Sequence, residues 1–184
     1  MNNVPQIRFK GFTDAWEQRK LIDIAEIVSG GTPSTNTQEY WNGDIDWYSP
    51  TEIGEKIYAE GSLKKITELG LQKCSAKILP AEKTILFTSR AGIGDMAILK
   101  CQGATNQGFQ SLVIKKNFDT YFFYSMGHLI KKFALKNASG STFLEISGKK
   151  LAKMPLLVPS YNEQNEISSF FKQLDDLITF ISVS

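Results

Sequence analysis

The sequence is short of histidine, of cysteine and of long apolar runs, and each shortage removes a class of function. Among 184 residues there is one histidine and there are two cysteines. His128 stands alone inside a helical stretch, where packing or surface exposure is the ordinary role. No Ser-His-Asp set, no histidine/cysteine metal cluster and no P-loop can be assembled. Cys74 and Cys101 lack CxxC spacing and read as two reduced cytosolic thiols, with a disulfide between them the less common alternative. No apolar run approaches the roughly 18 residues that a membrane-spanning helix needs. The opening MNNVPQIRFKGF has no apolar core of a signal peptide, which speaks against secretion. No catalytic or metal residue is assigned, and an enzyme acting alone is not the expectation.

What is present fits one globular domain with an appendage. The chain is 42% hydrophobic and 22% charged, which suits a soluble fold able to bury a core. Its net charge of +2 conceals an uneven distribution. Residues 1–60 hold 5 Lys/Arg against 10 Asp/Glu, a net of −5; residues 61–153 hold 15 against 5, a net of +10; residues 154–184 hold 1 against 4, a net of −3. A basic middle suits a polyanionic partner, and a solvated lysine-rich surface is the plainer alternative.

Turn residues divide the chain. The spacing of Trp16, Leu21, Ile24, Ala25 and Val28 predicts a short helix over 16–28. The glycines and proline of 29–34 predict a loop, and Asn42-Gly43 a turn before a strand at 45–48. Residues 57–79 read as strand, turn and helix around Gly61 and Gly70. Strands are expected at 84–88, 97–99 and 110–114, separated by Gly and Asn at intervals too short for βαβ units. Asp119 is placed to cap a helix that ends near Asn137, and 154–158 reads as another strand. The expected class is α+β: a mixed or antiparallel twisted sheet with short helices, followed by a C-terminal helix.

Residues 92–97 spell G-x-G-x-x-A after a strand, the written form of a dinucleotide fingerprint. That loop must open a crossover helix whose amides hold a pyrophosphate. Only eight residues, 95–102, separate Gly94 from Gly103, and Ile98-Leu99 there looks like strand. The glycines are therefore read as a hairpin-like turn presenting Ser89 and Arg90, and no cofactor is expected. Asp44 and Asp46 alternate on a strand as possible paired acids, although turn chemistry is the commoner reason for them.

The tail is the most legible element. Ser160-x-x-Glu163 after Pro159 has the form of a capping box. Behind it Ile167, Phe170, Phe171, Leu174, Leu177, Ile178 and Ile181 make an a/d-type stripe. Such a stripe packs on its own domain or on another helix.

In order along the chain, residues 30–34 (GGTPS), 40–47 (YWNGDIDW), 88–94 (TSRAGIG), 105–110 (TNQGFQ), 140–147 (GSTFLEIS), 155–159 (PLLVP), 163–164 (EQ), 170–171 (FF) and 174–175 (LD) resemble the target recognition domain of type I restriction-modification specificity subunits (HsdS). Each piece is weak alone, and the ordered series covers nearly the whole chain. The resemblance implies a non-catalytic subunit that reads double-stranded DNA for methyltransferase (M) and restriction (R) subunits. S-adenosylmethionine and ATP then belong to those partners. It also implies a recognition domain over 1–158 and the start of a spacer helix over 159–184. Family members usually carry two recognition domains and two spacer helices. The expectation is therefore a half-subunit, a truncated product or a fragment, with a homodimer through the helix as one route to a two-domain assembly.

Direct reading of bases takes hydrogen-bonding side chains, and phosphates take Lys and Arg. The candidates are Thr32, Ser34, Tyr48, Ser49, Thr51, Ser89, Arg90, Asn106, Gln107, Gln110, Ser139, Ser141, Lys149 and Lys150. Turn formation is the competing role for the Asn, Gln and Ser residues, and an ion pair at the core edge is the competing role for Arg90. A protein-interaction module with little DNA contact is the alternative function.

Overall fold

The computed structural model describes residues 4–140 and 143–183. In chain order its elements begin β1 (Glu17–Lys20), α1 (Leu21–Ile24), β2 (Ala25–Ser29), β3 (Trp41–Tyr48), β4 (Tyr58–Ala59), β5 (Lys64–Ile66), α2 (Glu68–Gln72) and β6 (Thr84–Phe87). They continue with β7 (Met96–Leu99), β8 (Gly103–Thr105), β9 (Gln110–Ile114), α3 (Thr120–Ser125), α4 (Gly127–Asn137), α5 (Gly148–Leu151), β10 (Pro155–Val158) and α6 (Tyr161–Val183).

A five-stranded sheet in the order β2-β9-β6-β7-β4 forms the centre, flanked by a three-stranded sheet, β5-β3-β8, and a ribbon of β1 with β10. Most pairs are antiparallel; β3 with β8 and β4 with β7 are parallel. The class is α+β, as its turn spacing predicts. All four residues of β6 are buried. Ile85 and Phe87 face a core shared with Leu112, Phe122, Phe123 and Ile130, whereas Leu86 faces a second cluster around Leu99 and Phe109. This alternation is the period-2 burial of a central strand covered on both sides.

Residues 16–28 are not one helix. A single turn, α1, is held between β1 and β2, with the Lys20 N–H donating to Asp23 Oδ2 at 2.8 Å. The apolar spacing that suggests a helix is used up by Leu21 and Ile24. The flanks pair instead, Glu17–Lys20 with β10 and Ala25–Ser29 with β9. Ladder bonds to strands more than 80 residues away override a weak local preference.

Asp119 caps α3 as expected, its Oδ1 accepting the Phe122 N–H at 2.8 Å. Asn42-Gly43 lies within β3, where the pairing with β5 shifts register between Trp41 and Ile45 and Asn42 takes φ 60°. At the tail, Ser160 Oγ accepts the Glu163 N–H at 3.4 Å, but the Glu163 carboxylate is occupied elsewhere. Arg8 donates to both its oxygens, Nε at 2.8 Å and an η-nitrogen at 2.7 Å. The two side chains are 9% and 2% exposed. Asp119 also takes the Ser168 hydroxyl, and Gln164 accepts the Asp119 N–H at 3.0 Å. Tyr121 donates to Asp175, and burial followed by that carboxylate pushes its phenol well above the ordinary tyrosine range. These contacts seat α6 on the domain from Glu163 as far as Asp175. Among the described residues no helix is long and apolar enough to cross a membrane.

Candidate nucleic-acid interface

The five residues from Asn106 to Gln110, with Thr105 at the end of β8, form a junction that gathers the candidate loops. The Thr105 carbonyl accepts the Gly31 N–H at 2.9 Å, and the Asn106 N–H donates to the Tyr48 carbonyl at 3.0 Å. The Gly108 carbonyl accepts the Ser89 N–H at 2.8 Å, and the Ser89 carbonyl in turn accepts the Ile146 N–H at 3.1 Å. Thr32 donates its hydroxyl to the Gln107 side-chain oxygen. Loops around 31, 48 and 89, distant in sequence, are thus stitched to one short segment by backbone bonds, and the loop around 146 joins them through Ser89.

Gly30 is what permits the first of these contacts. A Cβ there would lie 2.1 Å from the Asn106 carbonyl oxygen and 2.2 Å from that of Thr105. Backbone cannot retreat as a flexible side chain could. Gly30→Ala is expected to cost about 1–3 kcal/mol of stability, the range for overpacking. It should also weaken DNA binding; an unchanged melting temperature would show that the loop swings away freely.

The turn after β6 closes as a hairpin onto β7 rather than opening a helix. Gly92 and Gly94 take φ 111° and 96°, and the Thr88 carbonyl accepts the Gly94 N–H at 2.9 Å. Arg90, half-exposed on this turn, makes no hydrogen bond or ion pair with the described residues. The nearby acid, Asp95, is instead bound by Lys131 at 2.9 Å.

The remaining candidates separate into presented and structural groups. Gln107, Ser34, Thr51 and Lys149 are exposed, and Gln110 is half-buried beside the start of α5. Asn106 accepts the Gly108 N–H on its Oδ1 at 2.7 Å, the Asx-type turn weighed for it, which leaves its amide nitrogen available. Ser49 donates its N–H and its hydroxyl to Glu52, each at 2.7 Å, closing a capping box.

Two expectations of exposure need correction. Tyr48 and Ser89 are buried at 1% and 0% exposure, with neither hydroxyl partnered. Tyr48 ends β3 and packs in the cluster of Leu86, Leu99 and Phe109, and Ser89 lies just past the fully buried β6, so each side chain turns inward while the backbone carries the loop. Burial raises the Tyr48 phenol above its ordinary range, and nearby Asp46 adds to the shift. Lys150 is exposed but engaged: its Nζ donates to the Asn137 carbonyl and the Ser139 hydroxyl, both at 3.1 Å. Ser141 lies outside the described residues. Asp46 accepts from Ser62 and faces Lys65 at 3.5 Å, while Asp44 is exposed, so the alternating acids do not converge.

On α6, Ile167 packs against the core, whereas Phe170, Phe171, Leu174, Leu177, Ile178 and Ile181 are exposed. Leu177 and Ile178 are 57% and 63% exposed. Phe170 meets Phe9 edge-on, with ring centroids 5.8 Å apart, while Leu177 and Ile178 stand largely in solvent. The residues that seat the helix, Arg8, Glu163 and Asp119 with Ser168, were not predicted. Only the Glu163-Gln164 pair signalled them, and it also fits a capping box.

Polar loops collected on one rigid segment, a basic central stretch and a protruding apolar-striped helix define a recognition domain with an outgoing arm. The chain belongs to the type I restriction modification DNA specificity domain family, whose profile matches residues 13–182. It is 40% identical over 167 residues to the type I restriction enzyme MjaIX specificity subunit of Methanocaldococcus jannaschii, covering 89% of this chain and 38% of that protein. It is 31% identical over 175 residues to the EcoR124I/EcoR124II specificity subunit of Escherichia coli, covering 90% and 42%. The chain thus spans about two fifths of the length of these curated relatives. In fold it is similar to a chain from a structure of the type I R-M system, with TM-score 0.69 and 18% identity over 94% of this chain and 42% of that one. The HsdS subunit of Thermoanaerobacter tengcongensis gives TM-score 0.67 and 16% identity over 94% and 41%.

Proposed function

We propose that this chain reads a duplex DNA sequence as the specificity module of a type I restriction-modification assembly and performs no catalysis itself. The observation that carries the reading is the convergence of the ordered motifs on residues 105–110, which brings Thr32, Arg90, Asn106, Gln107 and Gln110 into one neighbourhood. Residues 1–158 form the recognition domain, and 159–184 begin the spacer helix. Methyltransferase and restriction subunits supply S-adenosylmethionine and ATP chemistry in a cytoplasmic complex. Leu174, Leu177 and Ile178 on α6 serve a second helix, supplied by another copy of this chain in a two-fold dimer.

The test is selection of bound duplexes from a random pool, with and without methyltransferase subunits. A defined consensus is expected. Arg90→Ala should blur preference at one base pair, by about 1–3 kcal/mol for a bidentate arginine–guanine contact. Enrichment of no sequence under either condition would remove the reading role. A variant that loses thermal stability but keeps its consensus would return Arg90 to a structural part.

A further inference from the structure

Two large apolar side chains stand in solvent beside the recognition loops. Phe143 is 80% exposed and Leu144 is 55% exposed. Neither was singled out as a contact residue, and neither joins a hydrophobic cluster. Their loop is nonetheless braced. Ser139 and Glu145 exchange both backbone hydrogen bonds, at 3.0 and 3.1 Å, which closes its base. Gly140 takes φ 143°, and a Cβ there would lie 2.0 Å from the Phe143 carbonyl oxygen. Lys150 holds Asn137 and Ser139 from below, and Ile146 is fully buried with its N–H on the Ser89 carbonyl.

The bracing places the tip among cations and reading loops. Ile146 ties it to the turn that bears Arg90, and Gly148 abuts Gln110 closely enough that a Cβ there would lie 2.7 Å from Gln110 Oε1. Lys149 is exposed on the next helical turn, and residues 61–153 carry a net charge of +10. A protein groove would suit the apolar tip alone. The surrounding positive charge favours a polyanion with apolar faces to offer, and stacked bases are such faces.

We propose that Phe143, backed by Leu144, is a wedge that packs against a base-pair step of bound duplex DNA. This rests on the DNA-reading role proposed above. The wedge presses on a step that unstacks easily, so preference arises there through deformability rather than through hydrogen bonds. Arg90 and Gln107 would read edges nearby while Lys149 holds a phosphate.

The experiment uses the full chain and a duplex chosen by selection, carrying 2-aminopurine at successive positions. Wild-type protein should raise the fluorescence at one step, and Phe143→Ala should abolish that rise. Affinity for the selected duplex should fall about 10-fold to 100-fold, the range for loss of one aromatic–base contact. Affinity for random duplex and its salt slope should not change, and Phe143→Trp should restore both signals. Phe143→Ala folds as the wild type does if its melting temperature is unchanged, as expected for an exposed side chain. Wild-type affinity and fluorescence in the alanine variant would sink the wedge alone. So would a variant that keeps DNA binding but loses its methyltransferase subunit, because the tip would then dock protein. A wild-type chain that binds no duplex, alone or with that subunit, would sink the reading role and the wedge together.

Discussion

Duplex binding by this chain should fall about 10³–10⁵-fold between 50 mM and 200 mM salt, the response of a surface making about 6–10 phosphate contacts. Fifteen Lys and Arg residues lie in the span 61–153, against five acids. Some are already committed: Lys131 to Asp95, Lys65 to Asp46, Lys100 to Glu82, and Lys150 to its own loop. That leaves Arg90, Lys149 and the remaining lysines to displace counterions. Lys149→Ala is the clean variant, because Lys149 makes no bond within the described structure. It should weaken binding to every sequence alike and reduce the log–log salt slope by about one. Adding Lys150→Ala should weaken binding further, partly by loosening the loop that carries Phe143. A flat salt response in a titration followed by anisotropy would remove the electrostatic basis of DNA binding.

The second large effect concerns the arm. Leu174→Asp with Leu177→Asp should raise the dimer dissociation constant by about 10²–10⁴-fold, since four half-exposed leucines, two from each copy, would each gain about half of the 1.5–3 kcal/mol of full burial. The recognition domain should keep its melting temperature. What seats α6 is Arg8 with Glu163, Asp119 with Ser168 and Tyr121 with Asp175, and neither leucine takes part in these bonds. A helix of 23 residues is long enough to persist with Leu177 and Ile178 largely in solvent. Two copies related by a two-fold axis would present two recognition surfaces and should select a DNA target with inverted symmetry. Sedimentation equilibrium across a wide concentration range gives the answer. A monomer at high concentration with α6 still helical would end the symmetric-target idea.

How much of this was legible beforehand follows from the range of each interaction. The strands around Ile85, Ile98 and Leu112, the cap at Asp119 and the stripe on α6 could be read from sequence. Their signals are periodicity and capping, which operate within a turn or a few strand residues. The turn at Gly92 and Gly94 was legible for the same reason: too few residues follow for a helix. The ordered motifs likewise pointed to DNA specificity, because they survive as short local patterns.

The rest depended on partners remote in the chain. Residues 16–28 became strand, turn and strand because β9 and β10 stood ready to pair with them. Tyr48 and Ser89 went inward because layers closed over them from both sides. Glu163 gave up half of its capping role to Arg8, 155 positions earlier. The site itself belongs to this second kind: Thr32, Gln107 and the turn that bears Arg90 come together only because residues 105–110 accept and donate backbone bonds to loops from three parts of the chain. Sequence alone determined the central strands, the turn at Gly92 and Gly94 and the helix of the tail, and which family they resemble, but not the structure of residues 16–28. Tertiary structure decided which side chains face solvent and which loops share a surface, since burial and pairing are set by contacts that no local window contains.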